Sequence, residues 1–261
     1  MVENSKLVLI TGSSSGLGFE LAKLFAKDGY DVAMSGSSER IYDSAKEIEK
    51  LGVETYPFQA DAATYDGVED FWHFVENKNR RIDAAVLNVG ISIGGAFLEN
   101  DLAEELKLID INISGMVHMA KRVSQHMAKN KSGDILIVSS LSATLPTPYE
   151  TVYGPSKAFG FMFAEALREE LKENNINVTA MLPGATNTDF HHNAGMDATY
   201  FGDENHKNDK KLVAEQGYEA LKQKIDHVVC GDEATKKEAE ENRKTAEDVK
   251  AARHAEKAKP Q

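Results

Sequence analysis

Two groupings of residues in this chain could do chemistry. The first is Tyr153-Gly154-Pro155-Ser156-Lys157, in which a phenol and an ammonium stand four residues apart. On a helix that spacing puts both on one face. Pro155 is tolerated only in a first helical turn, so Tyr153 is expected at a helix N-terminus, open to a cleft. A free phenol titrates near ~10 and is a poor base at neutral pH, whereas a neighbouring ammonium stabilises the phenolate and lowers that value. Such a pair could pass a proton to or from a carbonyl or alcohol oxygen. Tyr and Lys at this spacing are also common surface neighbours, so the pair gains meaning only from its context.

The second grouping is Thr11-Gly12-Ser13-Ser14-Ser15-Gly16-Leu17-Gly18, which follows Val8-Leu9-Ile10 and opens an amphipathic stretch. Glycines let the backbone turn tightly and approach a pyrophosphate, while the free N–H groups and dipole of a helix start favour its negative charge. The strand-turn-helix order predicts a dinucleotide site using Gly12, Ser14, Ser15, Gly16, Leu17 and Gly18, against the plainer reading of a simple turn. It is not an ATPase phosphate loop, since no Lys-Ser/Thr pair follows the last glycine.

An NAD site is expected to carry an acid at the end of the next strand, about 20 positions on, to hold the adenosine ribose. The chain has Met34-Ser35-Gly36-Ser37-Ser38-Glu39-Arg40 there, with no acid at the strand end. Gly36 leaves room for a 2′-phosphate, Ser37 and Ser38 can donate hydrogen bonds, and Arg40 supplies a cation unless it is merely a solvated helix residue. The expectation is NADP(H) ahead of NAD(H), with NAD(H) as the second option.

The elements that must carry these groups are legible from periodicity. Short apolar runs predict strands at Leu7–Ile10, Asp31–Ser35, Glu54–Gln59, Ile82–Leu87, Asp134–Ser139, Asn177–Leu182 and His227–Val229. Amphipathic stretches between them predict helices at Leu17–Asp28, Glu39–Leu51, Tyr65–Asn77, Asp101–Asn130, Val152–Asn174 and Lys210–Lys224, with Gly29, Gly52 and Gly133 following helical runs. This alternation predicts an α/β fold: a Rossmann-type, doubly wound parallel sheet of about seven strands with helices on both faces. Residues 1–231 are expected to form one catalytic domain. Residues 232–261 hold eight acidic and eight basic residues and only Val249 as an apolar side chain besides alanine. That segment cannot build a core and is expected to be a solvated helix, or one lying on a neighbouring subunit.

Composition narrows the function classes. The 261 residues are 41% hydrophobic and 28% charged, as in ordinary globular proteins, with a net charge of −12 that repels nucleic-acid phosphates and anionic lipid. No stretch has the ~18 apolar residues of a membrane helix and no signal-peptide core is visible, so the expected place is the cytoplasm, with no membrane or nucleic-acid partner. The single cysteine, Cys230, excludes an internal disulfide and is expected to be a packing residue. His191 and His192 lack a third ligand at convincing spacing and are expected as a solvated loop pair, so no metal site is predicted. His118 and His126 are expected at a surface or interface, and Trp72 with Phe71 and Phe74 on a packing face.

Taken together the motifs resemble the short-chain dehydrogenase/reductase family in its single-domain form. The resemblance rests on T-G-x-x-x-G-x-G at 11–18, Asp61, Asn88-x-Gly90, Asn112-x-x-Gly115, Ser140, Tyr153-x-x-x-Lys157 and Pro183-Gly184 with Thr188, and spans residues 6 to about 190. It implies a catalytic set of Asn112, Ser140, Tyr153 and Lys157. Tyr153 would be the acid/base, Lys157 would hold the nicotinamide ribose, Ser140 (or its neighbours Ser139 or Ser142) would bind the substrate oxygen, and Asn112 would fix a relay water. It also implies that Asp61 touches adenine, that Asn88 and Gly90 line the cofactor, that Thr188 contacts its carboxamide, and that Ala62, Pro183 and Gly184 belong to the cofactor-binding set. Asn88-Val89-Gly90 departs from the family's usual Asn-Ala-Gly, which changes packing beside the cofactor and keeps the backbone role.

The implied activity interconverts a ketone or aldehyde and an alcohol. A 3-ketoacyl thioester reductase of the same family and a non-catalytic dinucleotide sensor or scaffold are the alternatives. Loop position nominates Ile93, Phe97, Leu141, Leu145, Tyr149, Phe190 and Met196 for a mostly apolar pocket, which suggests a medium-sized ketone or alcohol as the small-molecule substrate. Met116, Met119, Phe159, Phe161, Met162 and Phe163 are too many apolar residues for one helix stripe, and predict a homodimer or homotetramer.

Overall fold

The computed structural model describes residues 5–259. Its strands are β1 (Leu7–Thr11), β2 (Asp31–Gly36), β3 (Thr55–Gln59), β4 (Ala84–Leu87), β5 (Gly133–Val138), β6 (Ile176–Pro183) and β7 (His227–Cys230). They form one sheet in the order β3-β2-β1-β4-β5-β6-β7, every pair parallel. Leu7 to Ile10 are fully buried, as expected of a strand covered on both faces. Period two still operates inside this continuous apolar run: Leu7 and Leu9 join one core, Val8 and Ile10 the other.

Helices α1 (Gly16–Lys27), α2 (Arg40–Glu49) and α8 (Lys210–Lys222) supply Leu21, Phe25, Ile41, Ile48, Val213 and Leu221 to the core shared with Val8 and Ile10. On the opposite face α3 (Tyr65–Glu76), α5 (Met116–Asn130) and α6 (Tyr153–Leu171) bring Phe71, Trp72, Met119, Val123 and Ala164 against Leu7 and Leu9. Trp72 is therefore a packing residue, as expected. Strand order reverses at the neighbours β1 and β4, and the chain leaves their carboxyl ends in opposite directions. That reversal opens a crevice above the two strands.

Two departures from the sequence expectations bear on function. The helix expected over Asp101–Asn130 is interrupted: α4 (Leu102–Ile109) runs into a wide π-helical turn at Asp110–Gly115 before α5 begins. The wide turn holds Asn112, and a search at 3.6-residue periodicity does not see it. Gly115 lies so close to the end of β3 that an added Cβ would stand 2.3 Å from the Ala62 carbonyl oxygen.

The charged C-terminal segment is helical, but it is neither one helix nor fully solvated. It forms α9 (Glu233–Asn242) and α10 (Glu247–Ala258), which fold back over the loop ahead of α6 and bury Asn242, Lys250 and His254. Its docking uses polar anchors, for which an apolar pattern gives no signal.

Candidate active site

Tyr153 opens α6 and Lys157 follows one turn later, both 7% exposed. Lys157 Nζ lies 5.7 Å from the Tyr153 ring centroid and donates to the Val138 carbonyl at 3.2 Å. Gly90 makes room for it, since a methyl there would stand 2.8 Å from Nζ. Ser140 caps the short 3-10 turn Leu141–Thr144, where its Oγ accepts the Ser142 N–H at 3.1 Å, and its hydroxyl favours the ionised form of the Tyr153 phenol. Ser139 is committed elsewhere, its Oγ donating to the Lys157 carbonyl at 2.7 Å. Of the serines left open, Ser140 and Ser142 both remain in the cleft lining.

Asn112 lies off the cleft lining and ties three elements together. Its amide nitrogen donates to the Ile91 carbonyl at 2.9 Å and to Ser156 Oγ at 3.0 Å, and its oxygen accepts the Ile91 N–H at 2.8 Å.

Burial dominates the electrostatics of the pair. It pushes the Tyr153 phenol well above its ordinary value, and the negative charge of Glu150 acts in the same direction, against a smaller opposing effect of the Ser140 hydroxyl. Burial also pulls Lys157 down to about 8. The net shift of the phenol is thus upward, opposite to the lowering expected from Lys157, because desolvation of the phenolate dominates. At neutral pH Tyr153 is a protonated phenol.

The crevice over β1 and β4 is a continuous cleft of about 620 Å³. Gly12, Ser14, Ser15, Gly16 and Leu17 line one end, with Ser37, Asp61 and Ala62 beside them. Asn88, Gly90, Pro183, Gly184 and Thr188 line the middle, and Ser140, Tyr153 and Lys157 the far end. The glycine turn has the cradle a pyrophosphate needs. Gly12 and Gly16 take left-handed conformations at φ +66° and +57°, and Ser15 at the helix cap makes no side-chain cap bond, leaving the first-turn N–H groups uncapped by it. Gly18 is not in the lining. It allows α1 to press on the turn, where an added Cβ would stand 2.3 Å from the Gly12 carbonyl oxygen.

The expected phosphate-end donors fare unequally. Ser37 lines the cleft, whereas Ser38 and Arg40 stay outside the lining. Arg40 points across the rim to Asp189, Nη1 to Oδ2 3.7 Å, both side chains largely exposed.

The far end corrects several expectations. Leu141, Leu145 and Phe190 line it, the Phe190 ring 5.5 Å from that of Tyr153. Ile93, Phe97, Tyr149 and Met196 do not: Phe97 is exposed, and Met196 is buried in a small cluster of its own. His191 and His192 are not a solvated pair. His192 is exposed beside Asp197, but His191 stacks on Phe201 in the cleft wall, where burial lowers its titration point and its Nδ1 has no hydrogen-bond partner among the described residues. Nor is His126 a surface residue, since its Nε2 accepts the Ile82 N–H at 3.2 Å beside Trp72.

The wall also holds residues that the sequence reading did not single out, among them Glu150, Tyr200, Phe201, and His254 and Lys257 from α10. No motif marks them. Glu165, Asp226 and His227 converge in the fashion of metal ligands, but Arg243 donates to His227 Nε2 at 3.0 Å, which leaves the neutral ring to donate from Nδ1 to Asp226 at 3.1 Å in a hydrogen-bonded group.

The glycine cradle yields a direct test. Gly18→Ala must push backbone apart at the cofactor end and is expected to weaken dinucleotide binding at least tenfold, read by fluorescence titration with NADPH and NADH. Unchanged affinity for both would show that the tight turn is not the binding element.

Comparison with known proteins places the site in a family. The model of the short chain dehydrogenase family matches residues 6–199. The chain is 32% identical over 184 residues to probable oxidoreductase EphD of Mycobacterium tuberculosis, covering 70% of this chain and 31% of that protein. It thus spans about a third of the length of that relative. The 3-oxoacyl-[acyl-carrier-protein] reductase FabG of Chlamydia pneumoniae is 30% identical over 70% of this chain and 75% of its own length. Among solved structures, a short-chain dehydrogenase from Sphingobium yanoikuyae in complex with NADPH superposes with a TM-score of 0.80 at 24% identity, covering 86% of this chain and 87% of that one. The chain therefore belongs to the short-chain dehydrogenase family, a Rossmann-type α/β oxidoreductase family, and the cleft over β1 and β4 is its candidate active site.

Proposed function

We propose that this protein is an NADP(H)-preferring oxidoreductase that interconverts a ketone or aldehyde and an alcohol, with Tyr153 as the proton donor and acceptor. The observation that carries the reading is the buried Tyr153 phenol, facing Lys157 and sharing with Ser140 the cleft that holds the glycine cradle. A bound nicotinamide dinucleotide supplies the two-electron chemistry. The chain's own part is to hold the substrate oxygen between Ser140 and Tyr153, to exclude water with Phe190, and to deliver or take the phenolic proton. Asn112 braces the arrangement from behind. The same chemistry on a 3-ketoacyl thioester is the second reading, favoured by the likeness to FabG, although the net charge of −12 opposes docking of an acidic carrier. A panel of ketones, aldehydes and a ketoacyl thioester, followed by NADPH absorbance, separates the two readings.

The protonation state gives a signed pH expectation. Because burial raises the phenol, its proton is present throughout the neutral range, so carbonyl reduction is expected to hold there and fall only on the strongly alkaline side. Alcohol oxidation, which needs the phenolate, is expected to rise with pH. Tyr153→Phe should lower kcat at least a thousandfold while NADPH affinity stays within about twofold, since only the oxygen is removed. Near-parental turnover in that variant would take Tyr153 out of the reaction.

The NADP(H) preference follows from Gly36 and from the charge at the rim. Arg40 can meet a 2′-phosphate only by giving up Asp189, so the two anions compete for one guanidinium. Arg40→Ala is expected to cut the NADPH/NADH ratio of kcat/KM about tenfold, and Asp189→Asn to raise it severalfold, in line with charge-assisted hydrogen bonds worth about 1.5–3 kcal/mol. An unchanged ratio in both variants would overturn the phosphate assignment.

Association into a homodimer or homotetramer belongs to the same reading. Met116 and Met119 prove to be core residues, with Phe161 and Phe163 partly buried against that core. The unpartnered apolar surface lies instead on Leu98, Leu102 and Leu106 and on Phe159 and Met162 of α6, with Leu98 96% exposed. Light scattering at micromolar concentration should give a multiple of the chain mass, reduced to the chain mass by Phe159→Glu with Met162→Glu; a monomeric parent would refute association.

A further inference from the structure

The turn that delivers Tyr153 to the cleft contains a strained residue. Tyr149 is in the left-handed region at φ +66°, a conformation that costs a non-glycine residue about 1–3 kcal/mol and persists only where the surroundings over-determine it. Both of its neighbours are held by one side chain from the C-terminal segment. His254 of α10, 4% exposed, donates from Nδ1 to the Pro148 carbonyl at 3.1 Å, and its Nε2 lies 3.4 Å from Glu150 Oε2. Ser92 donates to the other Glu150 oxygen at 2.8 Å, and Glu150 closes the turn through its carbonyl, which accepts from Thr147 Oγ1 at 2.8 Å.

The same segment grips the turn that follows Ser140. Asn242 Nδ2 donates to Thr144 Oγ1 at 2.9 Å, and Lys250 Nζ donates to the Thr144 carbonyl at 3.0 Å. Asn242, Lys250 and His254 are each buried, in a segment with almost no apolar side chains to bury. Burying three polar groups in such a segment is costly unless each is paired, and here all three partners lie on the loop between Ser140 and Tyr153.

We propose that His254 is a positioning residue for Tyr153, clamping the residues on either side of left-handed Tyr149, while Asn242 and Lys250 fix the turn carrying Ser140. The C-terminal helices, which lie beyond the region shared with the family model, thereby set the Ser140–Tyr153 geometry. His254 acts through the loop, and Glu150, which it holds, stands as a fixed negative charge near the phenol. The proposal rests on the reading of Tyr153 as proton donor. The titratable groups that line this end of the cleft with Tyr153 include Lys157, Glu150, His191, His254 and Lys257, with Glu238 paired to Lys257.

The test uses the full-length protein. Amide hydrogen exchange of the cofactor-free protein needs no substrate: His254→Ala is expected to speed exchange of residues 147–154 at least tenfold and to leave residues 7–18 unchanged. With the best carbonyl of the panel, His254→Ala should lose at least tenfold in kcat, since displacements near 1 Å cost up to about 10²-fold, with the NADPH KM within about twofold and partial recovery on adding imidazole. Glu150→Gln should move the alkaline limb of reduction to slightly lower pH, because a charge that adds to the effect of burial on the phenol is gone. If His254→Ala does not fold, Asn242→Ala is read in the same way through residues 141–146. Exchange and kcat within twofold of the parent, or kcat and NADPH affinity falling together, would overturn the proposal. Turnover persisting in Tyr153→Phe would overturn the underlying reading instead.

Discussion

The structure depends on a suture between the carboxyl ends of β1 and β4. Asn88 donates from its side-chain amide to the Thr11 and Gly12 carbonyls at 3.1 and 2.8 Å, while Thr11 Oγ1 accepts the Asn88 and Val89 N–H groups at 3.0 and 3.2 Å. Two strands that part company at this point would otherwise leave unpaired backbone groups at the bottom of the crevice, which is costly where water is scarce. With those groups satisfied, the glycine turn can leave its own first-helix N–H groups facing outwards. Gly18 completes the arrangement because any larger residue would force α1 off the turn.

The other end of the crevice is governed by desolvation. Tyr153 and Lys157 are both buried, and burial disfavours the charged form of each, so the phenol moves up and the ammonium down. In water a Tyr–Lys neighbourhood would be read as attraction between phenolate and ammonium. In this wall, closed by Phe190 and braced by Asn112, the cost of removing charge from water wins. That ordering favours a neutral acid over a ready-made base, and it explains why the pair's spacing alone predicted the wrong direction of shift.

The C-terminal helices show how a segment without a core can still be an integral part of a domain. Their three buried polar side chains reach acceptors on the loop between Ser140 and Tyr153, and Lys257 pairs with Glu238 at 2.9 Å to hold the two helices to each other. Apolar burial holds the sheet and its helices together, whereas hydrogen bonds to a catalytic loop hold this segment in place.

The sequence by itself determined the elements and brought Tyr153, Lys157 and the glycine turn to one cleft. Apolar runs and glycine punctuation placed all seven strands to within two residues, because a central parallel strand buried on both faces is apolar along most of its length while the edge strands β3 and β7 stay only partly buried. The spacing of Tyr153, Lys157 and the glycines is local geometry, which a chain encodes directly. Tertiary structure alone decided what depends on distant segments meeting. The π-helical turn at Asn112, the commitment of Ser139 to the Lys157 carbonyl, the swing of Arg40 towards Asp189, the burial of His191, and the entry of His254 into the wall involve contacts across as many as 149 positions and leave no period or motif. Short-range pattern reports which face of an element is apolar; which polar side chain is buried, and against which partner, is settled only by the packing of elements far apart in the chain.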